Sequence, residues 1–137
     1  MSSTQRTLIV PCSGIGKTYG TVGREATYRL VEELRPGSTE VVALSLLVLG
    51  DEETRARLQD APAIAVDGCK LACASKMVAE SGGQVAYLAN VLDTYRRHRE
   101  LRPKGVSRLN PDAEQLAEHL ANELAEAVDR IASEGEK

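Results

Sequence analysis

Three cysteines are the residues of this chain best suited to chemistry. Cys12 follows the apolar run Leu8-Ile9-Val10, and Cys69 and Cys73 follow the run Ala63-Ile64-Ala65-Val66. Both runs read as short buried strands, each leading into small or polar residues and then a helical pattern. Two such strands lying parallel in one sheet would bring both thiol-bearing loops out at the same carboxyl edge, where open α/β sheets bind ligands. Three thiols gathered there form a soft donor set for a metal ion. A zinc ion takes four ligands at about 2.0 to 2.3 Å, most often thiolates and imidazoles. Cys12, Cys69 and Cys73 supply three, and the fourth position falls to Asp67, a water, a substrate atom or another residue. Three protein ligands beside one open position is the pattern of catalytic zinc, whereas structural zinc is normally closed.

The spacing carries further expectations. Cys69 and Cys73 stand one helical turn apart and share a face if a helix opens near position 69. Thiolates at a helix amino end are favoured by its unpaired amides and dipole. Cys12 would receive the same field from a helix beginning near Thr21. Ser13, Gly14, Lys17, Asp67 and Gly68 flank the thiols as ligand-binding or supporting residues. Two other readings stand beside the metal. In one, Cys12 is a nucleophile of low pKa and Cys69 or Cys73 resolves it as a disulfide, in a thiol redox or sulfur-carrier protein. In the other, the thiols are small buried hydrophobes without chemistry.

The glycine-rich loop Cys12-Ser13-Gly14-Ile15-Gly16-Lys17-Thr18 invites comparison with phosphate-binding loops. It ends in Gly-Lys-Thr between a strand and a helix, but the first glycine of such a motif would fall at Pro11, which has no amide to offer a phosphate. A dinucleotide fingerprint would need its third glycine at Tyr19. A cysteine phosphatase loop would need arginine where Thr18 stands. In place of these, Gly14 and Gly16 let the backbone turn tightly around a ligand on Cys12.

The elements that must position these residues follow from periodicity. Residues 7 to 11 predict a first strand. A helix is expected from about Thr21 to Leu34, with Val22, Ala26, Leu30 and Leu34 on one stripe and Pro36-Gly37 ending it. Val41 to Leu44 reads as a buried parallel strand, with the apolar pattern running on to Leu49. Asp51 is placed to cap a short helix over roughly Glu52 to Gln59. The third strand ends at Val66 or Asp67, and the segment opened by Cys69 and Cys73 predicts a helix closed by Gly82-Gly83. Val85 to Leu88 reads as a fourth strand, although 85 to 101 can also be drawn as a helix. From Pro111 to Ile131 the Leu116, Leu120, Leu124, Val128 stripe predicts an amphipathic helix that packs on the sheet. Strands alternating with helices call for a three-layer flavodoxin/Rossmann-like α/β fold, a parallel sheet of about four strands with helices on both faces. The common strand order makes the first and third strands neighbours, which would set Cys12 beside Cys69.

At 137 residues the chain reads as one domain. With four Tyr and no Phe or Trp, its core must come from Leu, Val, Ile and Ala, and base-stacking platforms are absent. The net charge of -3 argues against bulk binding to nucleic acid or anionic membrane. The opening residues Met1 to Arg6 are polar and the following apolar run is too short for a signal peptide, and no run is long enough to span a bilayer. The expected compartment is the cytoplasm, where clustered cysteines serve as metal ligands or redox groups rather than structural disulfides. His98, in Arg96-Arg97-His98-Arg99, and His119, beside Glu118, read as surface residues. The stretch Arg96 to Arg108 is locally basic and suits an anionic partner.

At Val66-Asp67-Gly68-Cys69-Lys70-Leu71-Ala72-Cys73 the chain resembles the DGC domain family, named for its Asp-Gly-Cys signature. Cys12-Ser13-Gly14 matches the family's amino-terminal Cys-Ser-Gly. Gly20-Thr21, the helix through Leu34-Arg35-Pro36-Gly37, and Leu49-Gly50-Asp51 follow its usual run. The resemblance implies zinc binding by a set of four cysteines, without an established reaction. Cys12, Cys69 and Cys73 stand where three of these belong. The fourth belongs near the end of the second strand, where this chain has Ala43-Leu44-Ser45, and a further cysteine-rich patch is replaced by Ile15-Gly16-Lys17. A closed four-thiolate site is therefore not available, which leaves an open zinc, a different thiophilic metal, or a site that has lost metal affinity. The expected cofactor is Zn²⁺ or another thiophilic metal, with a small-molecule ligand at an open position.

Overall fold

Leu8, Ile9 and Val10 are buried on both sides of an extended segment, and this all-apolar character makes Thr7–Pro11 (β1) an interior strand. In the computed structural model, which describes residues 6–12, 17–68, 73–106 and 108–135, it pairs in parallel with Thr39–Val41 (β2) and Ala63–Asp67 (β3). Val85–Asn90 (β4) pairs with β3, giving the order β2-β1-β3-β4. Between the strands run Thr18–Arg29 (α1), Leu44–Val48 (α2), Glu52–Asp60 (α3), Cys73–Glu80 (α4) and Val91–Arg96 (α5), and Pro111–Gly135 (α6) follows. This is the predicted parallel α/β sheet with helices on both faces.

Alternate residues of the strands serve two cores, as the pleat requires. Ile9, Ile64 and Val66 face α1, α5 and α6, where Val22, Ala26, Leu116, Leu120 and Leu124 are buried. Leu8, Val10, Ala63 and Ala65 face α2, α3 and α4, where Leu44, Leu47, Leu58 and Val78 are buried. The α6 stripe packs largely against α1 as well as against the sheet.

Three expected elements differ in detail. The first helix starts at Thr18, its first bond running from the Thr21 amide to the Lys17 carbonyl at 3.1 Å. It ends in a π-helical turn, Leu30–Leu34, closed by the Arg35 amide on the Leu30 carbonyl at 2.8 Å. The second strand lies two residues earlier than expected, and the apolar run after it folds as α2 rather than as more strand. The helical drawing of 85 to 101 gives way to β4 followed by α5, a helix that starts only at Val91. Among the described residues no helix is long and apolar enough to cross a membrane.

Candidate functional site

Cys12 sits one residue past β1, and its amide still donates to the Val66 carbonyl at 2.8 Å, so the β1–β3 ladder runs to the thiol itself. The residue is 8% exposed. The Gly68 amide donates to the Cys12 sulfur at 3.2 Å. Gly68 is available for this because it lies hard against the first turn of α1. A Cβ added there would stand 3.0 Å from the Gly20 nitrogen and 3.1 Å from the Tyr19 carbonyl carbon.

Above the sulfur opens a cleft of about 410 Å³, lined by Cys12, Lys17, Thr18, Tyr19, Gly20, Gly68, Leu92 and Pro103. It stands at the carboxyl edge of the sheet, where the strand-edge reasoning expects a ligand. Lys17 is exposed and precedes α1 in extended conformation. Tyr19 comes from the first turn of α1, and Leu92 from the start of α5, where Asn90 caps the helix by accepting from the Leu92 amide at 2.9 Å. Pro103 belongs to the loop between α5 and α6, which Thr21 ties down by donating its hydroxyl to the Val106 carbonyl at 2.6 Å.

Asp67, at the end of β3, is 1% exposed. Its carboxylate accepts from the Ala74 amide at 2.8 Å and from the Ser75 amide at 3.4 Å. The buried acid thus caps α4 and fixes the helix that begins with Cys73. Two of the amides at the start of α4, those of Ala74 and Ser75, are thus engaged by this carboxylate, and Gly68 is a donor to Cys12. Cys73 is exposed on the first turn of α4.

Cys69, Ser13 and Gly14 lie outside the described residues, as does the expectation that Cys12 and Cys69 are neighbours. Among the described residues no group of three or more His, Cys, Asp or Glu side chains gathers as a metal site. Neither histidine lines the Cys12 cleft. His98, expected at the surface, is only 26% exposed at its side chain, and its ring stacks on His119 with centroids 3.7 Å apart and planes 6° from parallel.

The residues that sequence reasoning did not bring to the site are Tyr19, Leu92 and Pro103. The one local signal for them is Tyr19, an aromatic in a chain almost without aromatics, set directly after the glycine-rich loop. Leu92 and Pro103 carry none, because a leucine after a strand and a proline in a loop are ordinary.

No curated protein and no solved structure matches the chain. The family model of the DGC domain matches residues 8–120, from β1 into α6 and across both cysteine-bearing segments, and the chain therefore belongs to the DGC domain family.

Proposed function

We propose that the protein binds a thiophilic metal ion, zinc, through the thiolates of Cys12, Cys69 and Cys73, and keeps one coordination position for a water or a small-molecule ligand. The observation that carries this reading is Cys12 itself: a nearly buried sulfur at the carboxyl edge of β1, bonded by the Gly68 amide and opening on the cleft. Amide donors to sulfur are the outer-shell partners that orient thiolate ligands and temper their charge. β1 and β3 are adjacent and parallel, so Gly68, the residue before Cys69, leaves the sheet at the same edge as Cys12. The donor set is soft, as zinc binding needs. Asp67 serves as a positioning residue for α4, and Lys17 as a cation at the cleft mouth. A zinc ion held this way would polarise an oxygen of a ligand in the open position.

Elemental analysis of anaerobically purified, untagged protein tests the reading. The expected result is about one zinc per chain, lost or greatly weakened in each of Cys12→Ser, Cys69→Ser and Cys73→Ser. Full zinc affinity in any one variant removes that residue from the site. A second reading, a thiol redox or sulfur-carrier protein with Cys12 as nucleophile and Cys69 or Cys73 resolving it, is favoured by the same Gly68 donor to sulfur. It expects metal-free protein in which one cysteine is alkylated rapidly well below the usual thiol pKa of about 8.5. Uniformly slow labelling of the folded, metal-free chain would count against it.

A further inference from the structure

The cleft over Cys12 continues past two of its walls. Tyr19 and Leu92 also line a second, more open hollow of about 550 Å³, completed by Tyr95, Arg96, Arg99 and Arg102. Among the described residues that line it are three guanidinium side chains and no carboxylate. Arg96 is paired with Asp93 at 3.1 Å, whereas among the described residues Arg99 and Arg102 form no ion pair. The hollow therefore carries unbalanced positive charge in a molecule whose net charge is -3.

Arg102 is held in place from several sides. Its Nη1 donates to the Arg99 carbonyl at 2.6 Å and to the Leu101 carbonyl at 3.1 Å. Its amide donates to Asp112 at 2.8 Å, and its carbonyl accepts from the Asn110 side chain at 2.9 Å. A guanidinium fixed in this way has already lost much of the rotamer freedom that binding would cost it, and donors remain on its other nitrogens. Beside the arginines the rings of Tyr19 and Tyr95 stand 5.9 Å apart. Burial, and then the neighbouring Tyr95, push the Tyr19 phenol above its ordinary pKa, so it stays a hydrogen-bond donor through the neutral range. Pro103, next to Arg102, lines the Cys12 cleft, so one short loop segment contributes to both halves.

We propose that this hollow is an anion-binding subsite continuing the Cys12 cleft, and that its ligand is a small molecule bearing a phosphate or carboxylate group held by Arg99 and Arg102. Guanidinium groups bind such oxyanions through paired N–H donors, which suits both chemistries. The ligand would lie across Tyr19 and Leu92, with its anionic end on the arginines and its remainder towards Cys12. This inference goes beyond metal binding and does not require it.

Titration of the ¹⁵N-labelled full chain with inorganic pyrophosphate, and separately with citrate, tests the subsite. The expected result is saturable binding of at least one of the two. Amide shifts should be confined to Tyr19, Leu92, Tyr95 and the stretch from 99 to 102, and should weaken with added salt. Whichever anion binds more tightly assigns the phosphate or the carboxylate class. Arg99→Gln, whose guanidinium makes no ion pair or hydrogen bond among the described residues, should weaken binding about tenfold. Arg102→Gln should do the same, Arg6→Gln at the amino end of β1 should not, and Cys12→Ser should leave anion binding in place. Absence of saturable shifts with both anions, or equal weakening by Arg6→Gln, overturns the subsite. Parent protein that carries no zinc yet binds the anion overturns only the metal reading.

Discussion

Gly68 ties the sheet edge to both the thiol and the first helix. Its amide donates to the Cys12 sulfur, while the space a side chain would fill is taken by backbone of Tyr19 and Gly20. Backbone cannot swing aside as a flexible side chain can, so Gly68→Ala must separate the end of β3 from α1 and lengthen the bond to sulfur. The expected cost is about 1–3 kcal/mol in denaturant unfolding. It should come with a changed alkylation rate of Cys12, and a variant as stable and as reactive as the parent would refute the role. The Asp67-Gly68 pair was legible in the sequence as flanking the thiols. Its division of labour was not, because nothing local says that the acid turns to the Ala74 and Ser75 amides while the glycine turns to sulfur.

Capping signals acted at the scale of elements as the sequence promised. Asp51 accepts from the Thr54 amide at 3.0 Å and the Thr54 hydroxyl at 2.6 Å, closing the start of α3. The Thr54 hydroxyl first, and its amide second, hold the Asp51 carboxyl below its ordinary pKa. A carboxylate whose folded pKa is depressed stabilises the protein above its unfolded value and loses that contribution as the pH falls through the folded value. Asp51→Ala should therefore melt at a lower temperature than the parent at neutral pH, with the gap closing as the pH falls below about 4. A gap that persists unchanged into acid would remove the carboxylate from the account. Where apolar runs alone were read, the outcome was looser. The stretch after β2 keeps one more ladder bond, from the Val42 amide to the Ile9 carbonyl at 2.8 Å, and then coils so that Leu44 and Leu47 share a buried face. That three-residue spacing belongs to a helix, and it leaves Leu46, Val48 and Leu49 exposed.

For the whole molecule, stability rests on the two faces of the sheet. Leu116, Leu120 and Leu124 of α6 are all fully buried in the larger core. Leu120→Ala should cost about 2–5 kcal/mol in chemical denaturation, the range for a leucine whose cavity cannot fully collapse. Because Leu120 does not line the Cys12 cleft, folded variant protein should keep the zinc and anion affinities of the parent, and a parallel loss of binding would show that the core and the site are coupled. Arg35 on Asp129, at 2.8 and 2.7 Å, adds a two-bonded link from the end of the π-helical turn to the same helix.

The sequence by itself determined the alternation of strands and helices, the parallel order, the α6 stripe and the Asp51 cap. These depend on periodicity and on contacts within a few residues, which are written in the local chain. It also marked Cys12 as a residue at the carboxyl edge. Only the tertiary structure decided the walls of the cleft. Tyr19, Leu92 and Pro103 are far apart in the chain, and they meet because parallel pairing brings the ends of β1, β3 and β4 to one side of the sheet. The same assembly sets Arg102 beside Tyr19 and Tyr95. The basic stretch that suited an anionic partner thereby becomes one wall of a hollow, because charge placement in space follows from packing and not from sequence spacing.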